Sequence, residues 1–158
     1  MDYWVIWLVV VPFEVDISKL ATTIGIYRNT VIEYLNSLEK AKLLHLLYAD
    51  LLSVKKKQKP DKICLDNPNL LYALVSHPVK IGTARGTFVV NQLSCDHEIE
   101  YGKKTGDFRV NGKYTLEVGG EGKTYDQIAD VPDSYILADG IETPYRCKLP
   151  IWVVGFLY

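Results

Sequence analysis

The chain has almost no excess of charge of either sign. Its 158 residues include 18 Lys and Arg against 19 Asp and Glu, which gives a formal net charge of -1 at pH 7. A nearly neutral protein is not attracted as a whole to nucleic acid or to an anionic membrane, so binding of either must depend on locally concentrated charge. The positions of the basic residues therefore matter more than their number.

Cysteine and histidine are scarce, with three of each in the sequence. Cys64, Cys95 and Cys147 are far apart and odd in number, so they form neither a disulfide framework nor a CxxC metal motif. None of the histidines has the HxH or HxxxH spacing of a zinc site. This cysteine usage favours a reducing, cytoplasmic location.

Long hydrophobic runs are also absent. The stretch at residues 4–11 is apolar but ends at Pro12, whereas about 20 apolar residues are needed to cross a bilayer. Asp2 is the only charged side chain before this run, so the basic start of a signal peptide is missing. We predict that residues 1–12 are an apolar lead element that packs against protein rather than membrane, and that the chain is a piece of a longer gene product.

The stretch at residues 21–31, ATTIGIYRNTV, has the pattern of a helix-turn-helix. Asp16 is suited to cap a first helix, and Gly25 is suited to end it. Ala21 is small enough for two helices to cross closely, while Gly25 can take the tight turn between them. Val31 and Leu35 then fall on the inner face of the second helix.

Two short strands are predicted after these helices, at residues 43–48 and 63–65, and a lysine-rich segment connects them. Helices followed by such a hairpin make a winged helix, in which the second helix enters the major groove and the wing approaches the backbone. The predicted DNA-binding residues are Arg28, Asn29, Thr30, Asn36, Lys55, Lys56, Lys57 and Lys59. If about four lysines each neutralise a phosphate, log K should fall with log salt with a slope of about -3 to -4.

The alternative for this first unit is a protein-protein module. A run of charge at a loop tip is often simply solvated. Glu33, Glu39 and Asp50 also dilute the basic surface. Both interpretations stay open at this point.

Asn67, Pro68 and Asn69 interrupt the pattern, and we place the domain boundary there, with residues 1–67 as the first domain and 68–158 as the second. In the second domain the sequence predicts helices at 70–75, 85–93 and 125–129, strands at 98–103, 107–110, 113–118 and 134–138, and a final apolar stretch at 151–158. Strands mixed with helices imply a layered α/β domain, so the fold class of the chain is α+β.

Asp107 and Glu117 lie on two successive predicted strands. Carboxylates on neighbouring strands can hold Mg²⁺ or Mn²⁺, which polarises a phosphate and activates a bound water as in metal-dependent nucleases. Whether the two meet depends on register.

Two registers are compatible with the hairpin sequence. A two-residue turn at Asn111 and Gly112 mixes apolar and polar side chains on each face, whereas a three-residue loop at 110–112 separates them. We predict the three-residue, bulged form. Its apolar face then carries Phe108, Tyr114, Leu116 and Val118, and its polar face Asp107, Arg109, Lys113, Thr115 and Glu117.

The segments ISKLATTIGIYRNTVIEYLNSLEKAKLL, KICLDNPNLLYAL, DFRVNGKYTLEVGG and LPIWVVGFLY together resemble the C-terminal region of prokaryotic AAA-type ATPases. The resemblance covers nearly the whole chain. It implies a winged helix followed by a restriction-endonuclease-like domain of the PD-(D/E)XK type, with DNA and the AAA module of full-length relatives as partners, and LPIWVVGFLY as a closing apolar strand.

The chain departs from that family's nuclease motif at two positions. Relatives typically read R-E-T-F in the helix before the hairpin, where this chain has Arg85-Gly86-Thr87-Phe88, so one carboxylate is missing. The lysine expected two residues after Glu117 is Gly119, and Lys123 is the nearest substitute. The resemblance therefore implies a degenerate site of Asp107, Glu117 and Lys123, which would bind cations weakly and activate water poorly.

The glycine-rich GGEGKT at residues 119–124 lacks the first glycine of a Walker A loop, and no Walker B pair is evident. The chain therefore lacks the ATPase module of its relatives. The leading hypothesis is a non-catalytic, DNA-associated module. The alternatives are an interaction or oligomerisation module that docks on the AAA module, and a weak nuclease dependent on Mg²⁺ or Mn²⁺. The sequence leaves the oligomeric state open.

Overall fold

The computed structural model describes residues 13–14, 16–49, 59–74 and 78–157. Helices and strands are mixed along the chain, as expected for an α+β protein. The chain divides into two compact units, Met1–Val79 and Lys80–Tyr158. No helix in the described ranges is long and apolar enough to cross a membrane.

The helices of the first unit follow their end signals. Helix α1, Ile17–Ile24, begins after Asp16, whose carboxylate accepts hydrogen bonds from the amides of Ser18 and Lys19, both at 3.0 Å. It ends at Gly25, which has a φ of 76° and donates its amide to Ala21 O at 2.9 Å. Both ends lie where the sequence predicts them, because a carboxylate satisfies free amides and glycine tolerates the left-handed region.

Helix α2, Arg28–Lys40, packs against α1. Val31 and Leu35 are buried on its inner face, and Ala21 of α1 is also buried. The predicted apolar spacing therefore forms the contact between the two helices.

A three-stranded antiparallel sheet completes this part of the unit. It consists of β1, Phe13–Glu14, β2, Leu44–Leu47, and β3, Lys62–Leu65, in the order β1-β3-β2. The two predicted strands correspond to β2 and β3, whereas β1 is too short to show a sequence period. Lys55, Lys56 and Lys57, in the predicted wing between β2 and β3, lie outside the described residues.

The domain boundary differs from the predicted one. Helix α3, Pro68–Leu74, contacts β3 and buries Leu71, so it belongs to the first unit. The division therefore falls between Val79 and Lys80 rather than at Asn67. Asn67 still interrupts the chain, because its side chain accepts from the amide of Asn69 and begins α3.

The second unit is a five-stranded mixed sheet with a helix before it. Helix α4, Ile81–Leu93, begins four residues earlier than predicted. The strands follow in spatial order as β4, Ile99–Tyr101, β5, Phe108–Val110, β6, Tyr114–Gly120, β7, Ser134–Asp139, and β8, Lys148–Pro150. The pairs β4-β5 and β5-β6 are antiparallel, while β6-β7 and β7-β8 are parallel.

The β5-β6 hairpin has the predicted faces but a shifted loop. Phe108 pairs with Leu116 and Val110 with Tyr114, so the three loop residues are Asn111 to Lys113 rather than residues 110–112. Asn111 and Gly112 both have positive φ, at 52° and 64°. Because the loop still has three residues, the apolar and polar sets stay on the faces predicted for them.

Two predicted elements of this unit are wrong. Residues 125–129 form hydrogen-bonded turns instead of a helix, because the segment is too short to nucleate one and Pro132 closes it. The expected closing strand is limited to β8, after which Ile151–Phe156 is a 3₁₀ helix. Its buried residues, Ile151 and Val154, are three apart, which matches the three residues per turn of that helix.

The sheet of the second unit is covered on both faces. Helix α4 covers the face of Phe108 and Leu116, since a Cβ added at Gly86 would lie 3.7 Å from the Phe108 ring. The turns after β6 cover the other face, where Ile128 packs with Ile136 and Ala138. Glu117 pairs in parallel register with Ile136 and therefore lies on this second face.

Candidate functional site

Glu117 is a buried carboxylate in the middle of the sheet of the second unit. Only 3% of its side chain is exposed. The ammonium of Lys123 pairs with its Oε1. The amide nitrogen of Gln127, oriented so that both amide atoms have partners, donates to both carboxylate oxygens, at 2.5 and 3.2 Å. Glu117 is therefore surrounded by hydrogen-bond donors.

The glycine at position 119 makes room for this pair. A Cβ on Gly119 would lie 2.8 Å from both Cβ and Cγ of Lys123 and 2.9 Å from its Cδ. The lysine stem thus runs directly over Gly119 before its ammonium reaches Glu117. Lysine from the following turn occupies the space that a side chain on the strand would otherwise fill.

The turn that carries Lys123 is held by hydrogen bonds to its backbone. The amide of Lys123 donates to Gly120 O at 3.0 Å. Lys148, at the start of β8, donates its Nζ to Lys123 O at 3.1 Å and to Glu121 O. Sequence reasoning missed Lys148, because its role depends on parallel pairing of β7 and β8.

Asp107 has a different partner from Glu117. Its Oδ2 accepts a hydrogen bond from the amide of Val118 at 2.9 Å, and its own amide donates to Leu116 O at 2.9 Å. The carboxylate is thus bound to the backbone of β6. Of the three residues predicted for the degenerate nuclease site, the structure brings Glu117 and Lys123 together and ties Asp107 to the strand.

The arrangement does not match a metal site. Mg²⁺ and Mn²⁺ need several oxygen ligands, whereas Glu117 meets an ammonium and an amide N–H. Within the described ranges, no group of three or more His, Cys, Asp or Glu is placed to hold a metal ion.

A second ion pair lies at the same end of the sheet, on the opposite face. Arg85 Nε of α4 is 3.0 Å from Asp139 Oδ2 at the end of β7. Its guanidinium nitrogens would lie 3.3 Å from a Cβ added at Gly120. Sequence reasoning missed this pair. The signal for it was Asp139, an aspartate at the end of an apolar strand, because functional groups often lie at the carboxyl ends of parallel strands.

The two consecutive glycines explain why both pairs fit here. Successive residues of a strand face opposite sides of the sheet, so Gly119 is covered by Lys123 and Gly120 by Arg85. Each cation is paired with a carboxylate on its own face. The site therefore consists of two ion pairs near the carboxyl ends of β6 and β7, Glu117 with Lys123 and Asp139 with Arg85. It is not a cluster of charges of one sign.

In the first unit, the predicted DNA-binding residues differ in exposure. Arg28 and Asn29 are exposed at the start of α2, and Lys59 is exposed before β3. Thr30 and Asn36 are half-buried. Arg28, Asn29 and Lys59 are therefore the described residues of the predicted set that are most available to a partner.

Tyr27 is an exposed residue beside this set that sequence reasoning did not select. It is 86% exposed and directly precedes α2. Lys19, Lys40 and Lys42 are exposed as well. By contrast, Glu39 accepts the amide of Leu46 at 3.0 Å, so this carboxylate has a structural role in joining α2 to β2.

Comparison with known proteins returned no match to this chain among family models, curated proteins or solved structures.

Proposed function

We propose that this chain is a DNA-associated module of the kind found at the C-terminus of AAA-type ATPases, without the ATPase module itself. The first unit would be a winged helix that contacts duplex DNA. The second would be a restriction-endonuclease-like domain that adds affinity or positions the module and does not cut. The single observation that carries the proposal is that α1, ended by Gly25, packs on α2 with Ala21, Val31 and Leu35 buried, while Arg28 is exposed at the start of α2.

The sheet of the first unit supports the winged helix. Two crossing helices are followed by the antiparallel strands β2 and β3, and β1 pairs with the other edge of β3. The connection between β2 and β3 contains the lysine run and ends at the exposed Lys59. In a winged helix, a basic connection between these two strands suits the phosphate track of a duplex.

The order of elements in the second unit supports the nuclease-like domain. Helix α4 precedes three antiparallel strands, and of the two candidate carboxylates Asp107 directly precedes β5 and Glu117 lies within β6. The pairing of Glu117 with Lys123 supports a non-catalytic role, because an engaged carboxylate is a poor metal ligand.

A titration of random duplex DNA, followed by fluorescence anisotropy at two salt concentrations, tests the proposal. We expect log K to fall with log salt with a slope of about -3 to -4. Reversal of Lys55, Lys56, Lys57 and Lys59 to glutamate should abolish binding, and Arg28→Ala should weaken it. The matched control reverses four exposed lysines of the second unit, Lys80, Lys103, Lys104 and Lys113, which changes the net charge equally and should leave most of the affinity. Equal losses in both variants would refute specific contact by the first unit.

One observation favours docking on an ATPase module as a second candidate function. Trp152 and Phe156 on the 3₁₀ helix are 50% and 68% exposed and pack edge to face, with ring centroids 6.1 Å apart. Exposed aromatic pairs of this kind occur at protein interfaces. Under this candidate the wild type would not bind the duplex, whereas Trp152→Ala would weaken association with a purified AAA module.

A further inference from the structure

We propose that the second unit binds a small, uncharged aromatic molecule in a cavity between its sheet and its 3₁₀ helix. Leu116 lines this cavity, and successive residues of a strand face opposite sides of the sheet. The cavity therefore lies on the face opposite Glu117. This site goes beyond the proposed function, and it depends neither on duplex binding by the first unit nor on the ion pairs of Glu117 and Asp139.

Aliphatic side chains from the sheet and from both helices of the unit form the walls of the cavity. The strands β5 to β8 contribute Val110, Leu116, Leu137 and Leu149. Leu93, at the end of α4, and Val154, of the 3₁₀ helix, also line it. Leu93, Leu137 and Val154 are each only 2% exposed. The cavity is therefore built from the core of the unit rather than from surface side chains.

The His97 and Asn111 side chains also line the cavity, and their polar atoms are bound to the protein itself. Asn111 Nδ2 lies 3.1 Å from His97 Nδ1, and His97 Nε2 lies 3.2 Å from Leu157 O. A neutral His97 with its proton on Nε2 satisfies both contacts, because Nδ1 then accepts from Asn111 and Nε2 donates to Leu157 O. Asn111 Oδ1 accepts the amide of Glu98 at 3.0 Å. These polar groups therefore need no hydrogen bond from a ligand.

The walls of the cavity offer no partner to a charged ligand. Among the described residues that line it, none is Lys, Arg, Asp or Glu. The ammonium of Lys113 lies 4.6 Å from the ring centroid of Tyr114, which does line the cavity, and donates to the Tyr114 hydroxyl at 3.2 Å. Because Lys113 is exposed, water screens its charge. An ionised ligand would lose its hydration without gaining a buried counter-ion, so the walls favour an uncharged one.

The volume of the cavity, about 290 Å³, leaves room for two fused aromatic rings, since an apolar cavity of roughly 150 Å³ holds one benzene molecule. Tyr114 and Tyr135 add aromatic surface to the walls, with ring centroids 6.3 Å apart and planes inclined by 55°. Aromatic rings attract one another in tilted and offset arrangements. The two tyrosines therefore favour an aromatic occupant over an aliphatic one.

Naphthalene is the probe, because it has two fused rings and no charge, and naphthalenesulfonate is the charged counterpart with the same rings. Each is titrated into the full-length chain, and the methyl signals of Leu93, Leu137 and Leu149 are followed by NMR. With naphthalene we expect saturable shifts of these methyls and a rise in the Tm of the second unit. Naphthalenesulfonate should bind more weakly by at least about tenfold. The absence of saturable shifts at these methyls would overturn the proposal, and so would equal or tighter binding of the sulfonate.

Two variants with the same substitution locate the bound molecule. Val153 lines the cavity and is half-buried, so Val153→Trp should fill the space of the ligand and abolish saturable binding. Val131 is also half-buried, but it packs against Ile128 and Ile136 on the other face of the sheet. Val131→Trp should therefore leave the affinity within about twofold of the wild type. Naphthalene binding that survives in a folded Val153→Trp protein would overturn the proposal. If that variant does not fold, the methyl shifts of the wild type decide, because they identify the cavity without any substitution.

Discussion

The side chain of Lys123 lies across Gly119, and this contact lets a lysine outside the strand reach Glu117 inside it. A Cβ on residue 119 would lie 2.8 Å from Cβ and Cγ of Lys123. Real atoms do not approach so closely, so glycine at 119 and lysine at 123 depend on each other. The ammonium that pairs with Glu117 therefore comes from the turn that follows the strand.

Gly119→Ala should therefore destabilise the second unit. The added methyl must displace the Lys123 stem near its backbone, which pulls the ammonium from a buried carboxylate, and we expect a loss of about 1–3 kcal/mol. Urea unfolding, followed by the fluorescence of Trp152 in a chain with Trp4→Phe and Trp7→Phe, measures it.

Gly122→Ala is the control, because a Cβ there would meet nothing within 4 Å. In a double-mutant cycle, Gly119→Ala should cost much less when Lys123 is already glycine, because only glycine removes the Cβ of residue 123 that lies 2.8 Å away. Equal costs for Gly119→Ala and Gly122→Ala would show that the stem does not depend on residue 119.

The features that the sequence predicted correctly are those that depend on residues close together in the chain. The ends of α1 follow from Asp16 and Gly25 alone, and the faces of the β5-β6 hairpin follow from alternation and loop length. The exact loop was wrong by one residue, because residues 110–112 and residues 111–113 both give a three-residue connection with the same faces.

The pairing of charges could not be predicted in the same way. Glu117 and Lys123 were both selected, but their contact depends on the turn that follows β6. Arg85 and Asp139 are 54 residues apart, and only the parallel pairing of β6 with β7 and the packing of α4 place them together. Long-range partners of this kind leave no periodic signal in a single sequence.

Gly25→Ala should destabilise the first unit through its backbone alone. The residue has a φ of 76°, and an added Cβ would meet nothing within 4 Å, so crowding does not contribute. We expect a loss of about 1 kcal/mol from the left-handed conformation. Gly25→Asn should cost less, since asparagine tolerates this region. Urea unfolding followed by far-ultraviolet circular dichroism measures both variants, and an alanine variant as stable as wild type would contradict the assigned cap.

Cys64 should be protected from alkylation in the folded first unit. Burial raises the pKa of its thiol to about 12, and the side chain is 0% exposed. Cys95 and Cys147 are exposed. At pH 8 we expect two thiols to react rapidly and Cys64 to react slower by on the order of a thousandfold, since it must wait for unfolding. Mass spectrometry identifies the labelled residues, Cys64→Ala should lack the slow phase, and three equally fast thiols would refute the buried position of β3.

His45 should make the first unit sensitive to mild acid. Its Nε2 lies 3.2 Å from Asp66 Oδ1. Burial lowers the pKa of His45 and outweighs the neighbouring Asp66 carboxylate, which raises it, while Lys42 lowers it further. The folded unit therefore prefers neutral histidine, which donates its Nε2 proton to the carboxylate.

The direction of the pH dependence follows from that lowered pKa. An unfolded histidine has a pKa of about 6.5, so below this pH the unfolded state takes up a proton before the folded state does. The stability that His45 contributes is present above about pH 6.5 and is lost as the pH falls through the lower pKa of the folded state.

The rate at which Cys64 is alkylated reports this loss of stability, because Cys64 pairs with His45 across β2 and β3. The rate in the folded protein is divided by the rate in the urea-unfolded chain at the same pH. We expect the ratio to rise from pH 7 to pH 5 in the wild type and to rise less in His45→Gln. His97→Gln, in the second unit, should leave the profile of the first unit unchanged. If the first unit became more stable as the pH falls over this range, the Asp66 carboxylate would outweigh burial in setting the pKa of His45. The pKa of His45 would then be raised in the folded state and not lowered.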